Sequence, residues 1–579
     1  MPPPQPNPEL DLSNTNTVWC GVLVETLVRR GVRHVVIAPG SRSAPLTFAF
    51  ARHPRIEAVP VVDERSAAFF ALGLARQHHR PVALVCTSGT AAANFLPAVI
   101  EAHESGVPLV VLTADRPPEL RACGAGQAID QQKLYGNFVQ FYHECAVPEA
   151  SLAMLRYLRQ TVSHAIDRAR PPTAGPVHLN CPFREPLVPT DDGLASALAG
   201  QIDEAFFAHL DGPPPVAAAT ARLRLPTGLG VIVAGPAQPK NSAHYMTRLT
   251  AFAARLGWPV LADALSPVRH HALTGAIRVA AYDSILRNEA LATELQPDFV
   301  LVLDAWPTSK VLRGWLETGG AETLLVTPGS ANHDALHGRT RQLAVAVENL
   351  ELEGAPPPIE GYVALWQKAE LEARTLFEKR LLPMTELFEP KAAWLMSRYL
   401  PAGTPVFVAN SMPVRDVEYF WPTTKQRHRL HFNRGANGID GTLSTALGVA
   451  HGGSPTVLLT GDLALLHDTN GFLLRAKLRG SLTIVLINNR GGGIFEHLPV
   501  AQHEPVFETY FATPQDVDFA KLCGAHKVEH VPVRDWEQFT KLITTLPESG
   551  VRVLELRTDR KRDAAVRKNL LTKAAGAAG

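Results

Sequence analysis

Short β-branched runs ending in Gly, Ser, Asp or Asn recur along the chain and alternate with Ala- and Leu-rich stretches of helical period. Apolar runs of this length, bounded by turn residues, predict strands buried on both faces, and the alternation predicts βαβ units in a parallel sheet. The runs fall into three groups. The first holds 34–40 (HVVIAPG), 82–89 (VALVCTSG), 108–115 (PLVVLTAD) and 176–182 (PVHLNCP), and ends in the polar, Pro-containing stretch 186–192. The second holds 230–236 (GVIVAGP), 259–264 (PVLADA), 299–305 (FVLVLDA) and 323–329 (TLLVTPG), and closes at the GAPPP segment 354–358, a rigid linker by composition. The third runs from 405–411 (PVFVANS) through 431–434, 456–462 (TVLLTGD) and 482–489 (LTIVLINN) to 551–556. The expected fold is α/β, with three domains at 1–190, 191–358 and 359–579, each a central, mainly parallel sheet flanked by helices.

Composition narrows the class. A chain of 579 residues exceeds one ordinary core, and its length suggests about three or four domains. A formal net charge of +1 gives no general attraction to nucleic acid or anionic membrane, so anionic ligands must be held by local charge. The six cysteines show no C-x-x-C pair or metal-ligand spacing and read as small core residues in a reducing compartment. The segment 1–17 lacks a basic region followed by an apolar run, so no secretory signal is expected there. No apolar stretch is long enough to span a bilayer, and the cytoplasm is the expected location.

In open parallel sheets, ligands bind beyond the carboxyl ends of the strands. The polar, Gly-rich segments that follow strands belong to the first and third groups: PGSRS, VDERS, TSGT, TADRPP, NSMPVRD, NRGANGIDG, TGD and NNRGGG. The middle group offers mainly Gly235-Pro236 and the run 307–310. The first and third domains are therefore expected to form the site. Thr460-Gly461-Asp462 ends one strand and Asn488-Asn489 ends another; Asn489 follows Asp462 by 27 residues, a separation that fits one strand–helix–strand crossover. This sets a carboxylate and an amide oxygen at neighbouring strand ends. With a backbone carbonyl from the Gly491-Gly492-Gly493 turn, Asp462 and Asn489 suit a hard divalent cation such as Mg²⁺, and the glycines let N–H groups approach phosphate oxygens.

Gly461-Asp462 followed by Asn488-Asn489 resembles the thiamine diphosphate-dependent enzyme superfamily, whose motif is Gly-Asp-Gly and then Asn-Asn. Leu463 replaces the third glycine, a departure shared by one subgroup that keeps the metal ligand. The resemblance implies a pyrimidine-binding N-terminal domain, a middle domain and a diphosphate-binding C-terminal domain, with Mg²⁺ or Mn²⁺ held by Asp462, Asn489 and Gly491. It also implies an activating glutamate that hydrogen-bonds the cofactor's pyrimidine. The matching residue is Glu64, in Val61-Val62-Asp63-Glu64-Arg65 after a predicted strand and before the helix 66–75. Further cofactor contacts implied are Ser88, Gly89, Gly492 and the apolar Ile439, Ile494, Phe495 and Leu498; ordinary packing is the other reading of Ile439. A homodimer or dimer of dimers, with active sites at the subunit interface, follows by the same analogy.

Four arginines stand in post-strand loops: Arg42 in PGSRS, Arg116 in TADRPPEL, Arg415 in NSMPVRD and Arg434 in NRGANGIDG. Arginine is the preferred bidentate partner of carboxylates, so four of them imply several substrate carboxylates. With Ser88-Gly89-Thr90 and the segment 124–127, these loops resemble the 2-succinyl-5-enolpyruvyl-6-hydroxy-3-cyclohexene-1-carboxylate synthase family over nearly the whole chain. That family of transferases decarboxylates 2-oxoglutarate and adds the succinyl unit to isochorismate in menaquinone biosynthesis. Carried over by position, Ser41, Arg42, Arg116 and Gln127 would line the isochorismate side, while Ser411, Arg415 and Arg434 would hold substrate carboxylates. Lys310 matches a middle-domain lysine that reaches the site, and Gln127 or the cofactor's own amino group would handle protons during addition. Trp306 stands where relatives often have Arg, and Gly126 where some have Asn. A synthase for small 2-oxo acids and a catalytically silent diphosphate-binding regulator are the competing readings.

Overall fold

The computed structural model describes residues 10–210, 220–224, 228–329, 331–354 and 359–578. Residues 355–358 of the expected linker and the first nine residues lie outside that set. The chain divides into two compact units. One joins residues 1–216 to 433–452 and 468–478; the other holds 217–432, 453–467 and 479–579.

The first unit is built on a six-stranded parallel sheet, β1 (His34–Ile37), β2 (Glu57–Pro60), β3 (Val82–Cys86), β4 (Leu109–Asp115), β5 (Phe141–Glu144) and β6 (Val177–Pro182), in the order β2-β1-β3-β4-β6-β5. Its central strands are buried throughout, as β-branched runs in a sheet covered on both faces should be. Helices Thr15–Arg29 and Leu152–Ala169 pack one face. Helix Glu64–His78 packs on β1 and β3 and against helix Thr442–Ala450.

The second unit carries two more six-stranded parallel sheets. One runs β10-β9-β8-β11-β12-β13 and comprises β8 (Gly230–Ala234), β9 (Val260–Ala262), β10 (Arg278–Val279), β11 (Phe299–Leu303), β12 (Glu322–Thr327) and β13 (Thr340–Ala344). A two-stranded ladder pairs β7 (Ala221–Arg224) with β14 (Leu350–Glu353). The last sheet, β15 (Pro405–Val408), β16 (Arg429–His431), β17 (Thr456–Gly461), β18 (Ser481–Asn488), β19 (Glu529–Pro532) and β20 (Gly550–Arg557), has the order β16-β15-β17-β18-β20-β19. The three six-stranded sheets share one plan. In each, the connection reverses direction beside a central strand, at β1/β3, β8/β11 and β15/β17, and a doubly wound sheet opens its ligand crevice at that switch point.

Three expectations are corrected in detail. The run 431–434 was expected as a strand, but the strand there is β16, which pairs with β15 only from Arg429 to His431. Beyond it Asn433 turns its amide to Thr445, and the chain becomes a loop. The helix after β2 begins at Glu64, with Asp63 as its N-cap accepting from Ser66 N, two residues before the expected start. Cys123 is exposed; the other five cysteines are buried as expected.

Candidate functional site

In the first unit, the loops after β1, β3 and β4 bring several of the anticipated residues together. Gly40 approaches Thr87 so closely that a Cβ would sit 2.2 Å from the threonine Cβ, so the turn bearing Ser41 and Arg42 requires glycine. Ser41 is exposed and Arg42 is buried. Arg42 donates to the Phe183 carbonyl at 3.0 Å and meets exposed Glu185 at 3.4 Å, while its buried Nε has no partner. Burial, reinforced by the nearby Arg116 guanidinium, pushes Arg42 below the usual arginine value. Arg116 in turn clasps the Gly126 carbonyl from Nε at 3.2 Å and Nη2 at 2.9 Å. Arg42 and Arg116 are neighbouring guanidiniums of the kind that hold anions, with Glu185 and Asp115 also near Arg42.

Gln127 takes a left-handed backbone (φ 57°) and donates to the Ser88 carbonyl at 3.0 Å. Among the described residues the buried Ser88 hydroxyl has no partner, and Gly89 N donates to Gln131 Oε1 at 2.8 Å. Glu64, half-buried at the first position of its helix, is close enough to Cys86 to reinforce the effect of burial in raising that thiol. Among the described residues its carboxylate has no hydrogen-bond partner. Arg434 and Ile439 also belong to this unit and are half-buried. Their loop is anchored by buried Glu101, which accepts from Gly435 N at 3.0 Å and Ala436 N at 2.7 Å and pairs with Arg76 at 2.9 Å.

In the second unit, β17 and β18 are adjacent and parallel, so Asp462 and Asn489 do emerge from neighbouring strand ends. Asp462 is buried, and its carboxylate accepts from Leu463 N at 2.9 Å and Gly491 N at 2.8 Å. Burial raises its pKa to about 6. Asn489 is 8% exposed, and its Oδ1 is buried without a partner among the described residues. Gly491 (φ 135°) packs so tightly that a Cβ would lie 2.3 Å from the Ala512 carbonyl, and Gly492 donates to that same carbonyl at 2.8 Å. A Cβ on Gly461 would meet nothing within 4 Å. Among the described residues no three His, Cys, Asp or Glu side chains gather as a metal site. A buried carboxylate beside an unsatisfied amide oxygen and a glycine loop is instead an oxygen donor set that fits a hard divalent cation carrying a diphosphate.

Ile494 and Phe495 are half-buried on the following turn, the Phe495 ring against Phe511 at 5.8 Å; Leu498 is exposed. Ser411 (φ 71°) is the N-cap of helix Met412–Phe420, and Arg415 donates to its carbonyl at 2.6 Å. Burial lowers the Arg415 pKa, and neighbouring Arg313 lowers it further. Lys310 is exposed at the first position of helix Lys310–Gly319; Trp306 donates its indole N–H to the His333 carbonyl.

Each segment matches a family model: 21–134 the thiamine pyrophosphate enzyme N-terminal TPP binding domain, 213–407 the thiamine pyrophosphate middle domain, and 413–556 the C-terminal TPP binding domain. A curated relative from Nostoc sp., a 2-succinyl-5-enolpyruvyl-6-hydroxy-3-cyclohexene-1-carboxylate synthase, is 52% identical over 569 residues, covering 96% of this chain and 98% of the relative. The chain belongs to that synthase family. A second synthase of this family, from Trichodesmium erythraeum, is 50% identical over 96% of this chain and 97% of its own length. A solved benzoylformate decarboxylase from Polynucleobacter necessarius shares the fold, with a TM-score of 0.64 at 17% identity, covering 94% of this chain and 98% of that one. Like the rest of the synthase family, the protein is a thiamine diphosphate-dependent enzyme.

Sequence reasoning missed several residues that build these sites. Gln131 is a buried amide whose only sequence signal is its place after a Gly-rich loop. Arg313 stands one helical turn after Lys310, a spacing that puts both cations on one helix face. Glu389 reaches Asn489 from 100 residues away, a separation at which no local pattern points to it.

Proposed function

We propose that the protein is a 2-succinyl-5-enolpyruvyl-6-hydroxy-3-cyclohexene-1-carboxylate synthase that decarboxylates 2-oxoglutarate and adds the succinyl unit to isochorismate in menaquinone biosynthesis. The observation that carries this reading is near-full-length identity of about half to synthases of that name, joined to arginines at the substrate-side loops. Thiamine diphosphate, when bound, would supply a nucleophilic thiazolium carbon and an electron sink for decarboxylation. Glu64 would hydrogen-bond the pyrimidine ring nitrogen and favour the cofactor's imino form. Ser88, Gly89, Ile439, Gly461, Leu463, Gly492, Ile494 and Phe495 would line the cofactor, and Asp462, Asn489 and the Gly491 carbonyl would hold Mg²⁺ or Mn²⁺ on its diphosphate.

Ser41, Arg42, Arg116 and Gln127 would receive isochorismate, with Ser411, Arg415 and Arg434 on substrate carboxylates and Lys310 reaching the site. Gln127, which is exposed and therefore reachable by substrate, or the cofactor's own amino group would handle protons during the addition. Domain bounds at 1–190, 191–358 and 359–579, a cytoplasmic location, and a homodimer or dimer of dimers with sites at the subunit interface complete the reading. Among the described residues no helix is long and apolar enough to cross a membrane. A coupled assay tests it: CO₂ release from 2-oxoglutarate should require isochorismate, thiamine diphosphate and Mg²⁺ for full turnover. Release from pyruvate alone, with none from 2-oxoglutarate, would assign the chain to the small 2-oxo acid synthases instead.

A further inference from the structure

Asn489 does not stand alone. Its Nδ2 donates to Glu389 Oε1 at 2.6 Å, and the other oxygen of Glu389 accepts from Arg567 Nη2 at 2.7 Å. Arg567 continues to Asp416, from Nε at 2.7 Å and Nη2 at 3.0 Å, and donates to His497 Nε2 at 3.0 Å. Glu389 is 3% exposed, Arg567 2% and Asp416 3%, so these three groups are buried, while His497 reaches the surface. Its three buried members come from the start of helix Glu389–Tyr399, from helix Met412–Phe420 and from helix Arg560–Ala578. Burying a guanidinium with two carboxylates gains little stability over apolar packing of the same volume. What the arrangement does fix is the rotation of one amide.

An asparagine side chain has a donor end and an acceptor end of nearly the same shape, and only its oxygen can bind a cation. A carboxylate at 2.6 Å accepts from Nδ2 and would repel Oδ1. The amide is therefore locked with Oδ1, the buried atom without a partner, turned away from Glu389. We propose that Glu389, held by Arg567, is a positioning residue that orients the Asn489 amide so that its oxygen is presented to the divalent cation. This rests on the reading of Asp462 and Asn489 as the cation site. Through Asp416 the same network also seats the helix that carries Arg415.

The inference makes a prediction that a merely structural role does not. In Glu389→Gln, Arg567 would hold the one remaining oxygen and leave the glutamine amide N–H₂ facing Asn489. The asparagine would then rotate, giving Oδ1 to the glutamine and Nδ2 to the cation. Adding Asn489→Asp to Glu389→Gln restores a matched hydrogen bond of reversed polarity at unchanged net charge, with one aspartate oxygen free.

The experiment is Mn²⁺ binding to the full chain with thiamine diphosphate present, read by the electron paramagnetic resonance of free Mn²⁺, with circular dichroism and melting temperature checked on every variant. Glu389→Gln should weaken Mn²⁺ about tenfold or more, as loss of a partner behind a metal ligand commonly does, and the double variant should recover to within about threefold of wild type. Glu389→Gln binding Mn²⁺ like wild type, while Asp462→Ala loses it, would overturn the positioning role and leave the cation site standing. Failure of the double variant to recover would overturn it as well. If Asp462→Ala binds Mn²⁺ normally, the cation site itself is wrong and the inference falls with it.

Discussion

Among the described residues the half-buried Glu64 carboxylate, at the first position of its helix, has no hydrogen-bond partner that the fold would lose. A helix N-terminus tolerates the charge, but the position does not require it. Glu64→Gln should therefore leave folding and thiamine diphosphate affinity nearly unchanged while cutting turnover by roughly 100-fold or more, the scale of a lost proton-transfer partner. Calorimetric titration with the cofactor beside the CO₂ assay checks both halves, and turnover within tenfold of wild type would remove Glu64 from the role. His178 offers a pH test. Asn180 Oδ1 accepts the single hydrogen of Thr113 Oγ1, so His178 Nε2 must donate to Thr113 at 2.7 Å, and the buried Nδ1 has no partner. Burial pushes this imidazole down to about 3 from an ordinary 6.5. Above pH 6.5 both folded and unfolded states hold it neutral and its contribution is complete; below that, the unfolded chain takes up a proton the fold refuses. Stability should fall by about 1.4 kcal/mol per pH unit from this group between pH 6.5 and 3. Melting temperatures at pH 7 and pH 5 should drop less for His178→Gln than for wild type; an equal drop would mean that the folded imidazole is charged.

Elements were legible where both chemistry and periodicity are local. The buried central strands, the Asp462–Asn489 crossover and the post-strand arginine loops could be read directly because residue type and spacing carry them. Edge strands such as β5, β13 and β19 could not: they are short and only half-buried, so their apolar pattern is weak. Helix contacts were equally silent. Helix Glu64–His78 crosses Thr442–Ala450 at Gly73 and Gly448, where a Cβ on Gly448 would lie 2.3 Å from the Phe70 carbonyl and 2.9 Å from the Gly73 Cα. Two glycines among hundreds of residues announce nothing, yet at this crossing backbone meets backbone. Gly448→Ala should destabilise the first unit by about 1–3 kcal/mol, because the helices must separate to admit the methyl group. Gly361→Ala is the matched control: its Cβ would meet nothing within 4 Å, so stability should hold or rise by up to ~1 kcal/mol. Urea melts of the two variants compare them, and a harmless Gly448→Ala would show that the crossing is loose.

At the scale of the molecule, the residues assigned to the pyrimidine and those assigned to the diphosphate fall in different compact units. Glu64 lies in one; Asp462, Asn489 and Gly491 lie in the other. Sequence separation alone had already put them in different domains, but it could not say which subunit supplies which half, because nothing in a single chain records a partner. The proposed dimer with sites at its interface makes a quantitative statement about mixed subunits. Glu64→Gln and Asp462→Ala should each cut turnover by roughly 100-fold or more. If Glu64 of one subunit works with Asp462 of another, a mixed dimer contains one doubly altered site and one intact site. Co-expressing the two variants with different tags and purifying the species that carries both should then return about half the wild-type specific activity, as a two-fold assembly with two equivalent sites requires. If each subunit builds its own site, every site in the mixed dimer keeps one lesion and the purified species stays inactive. Light scattering on the same sample should give a mass of two or four chains of 62.7 kDa; a single-chain mass with full activity would rule out the shared site.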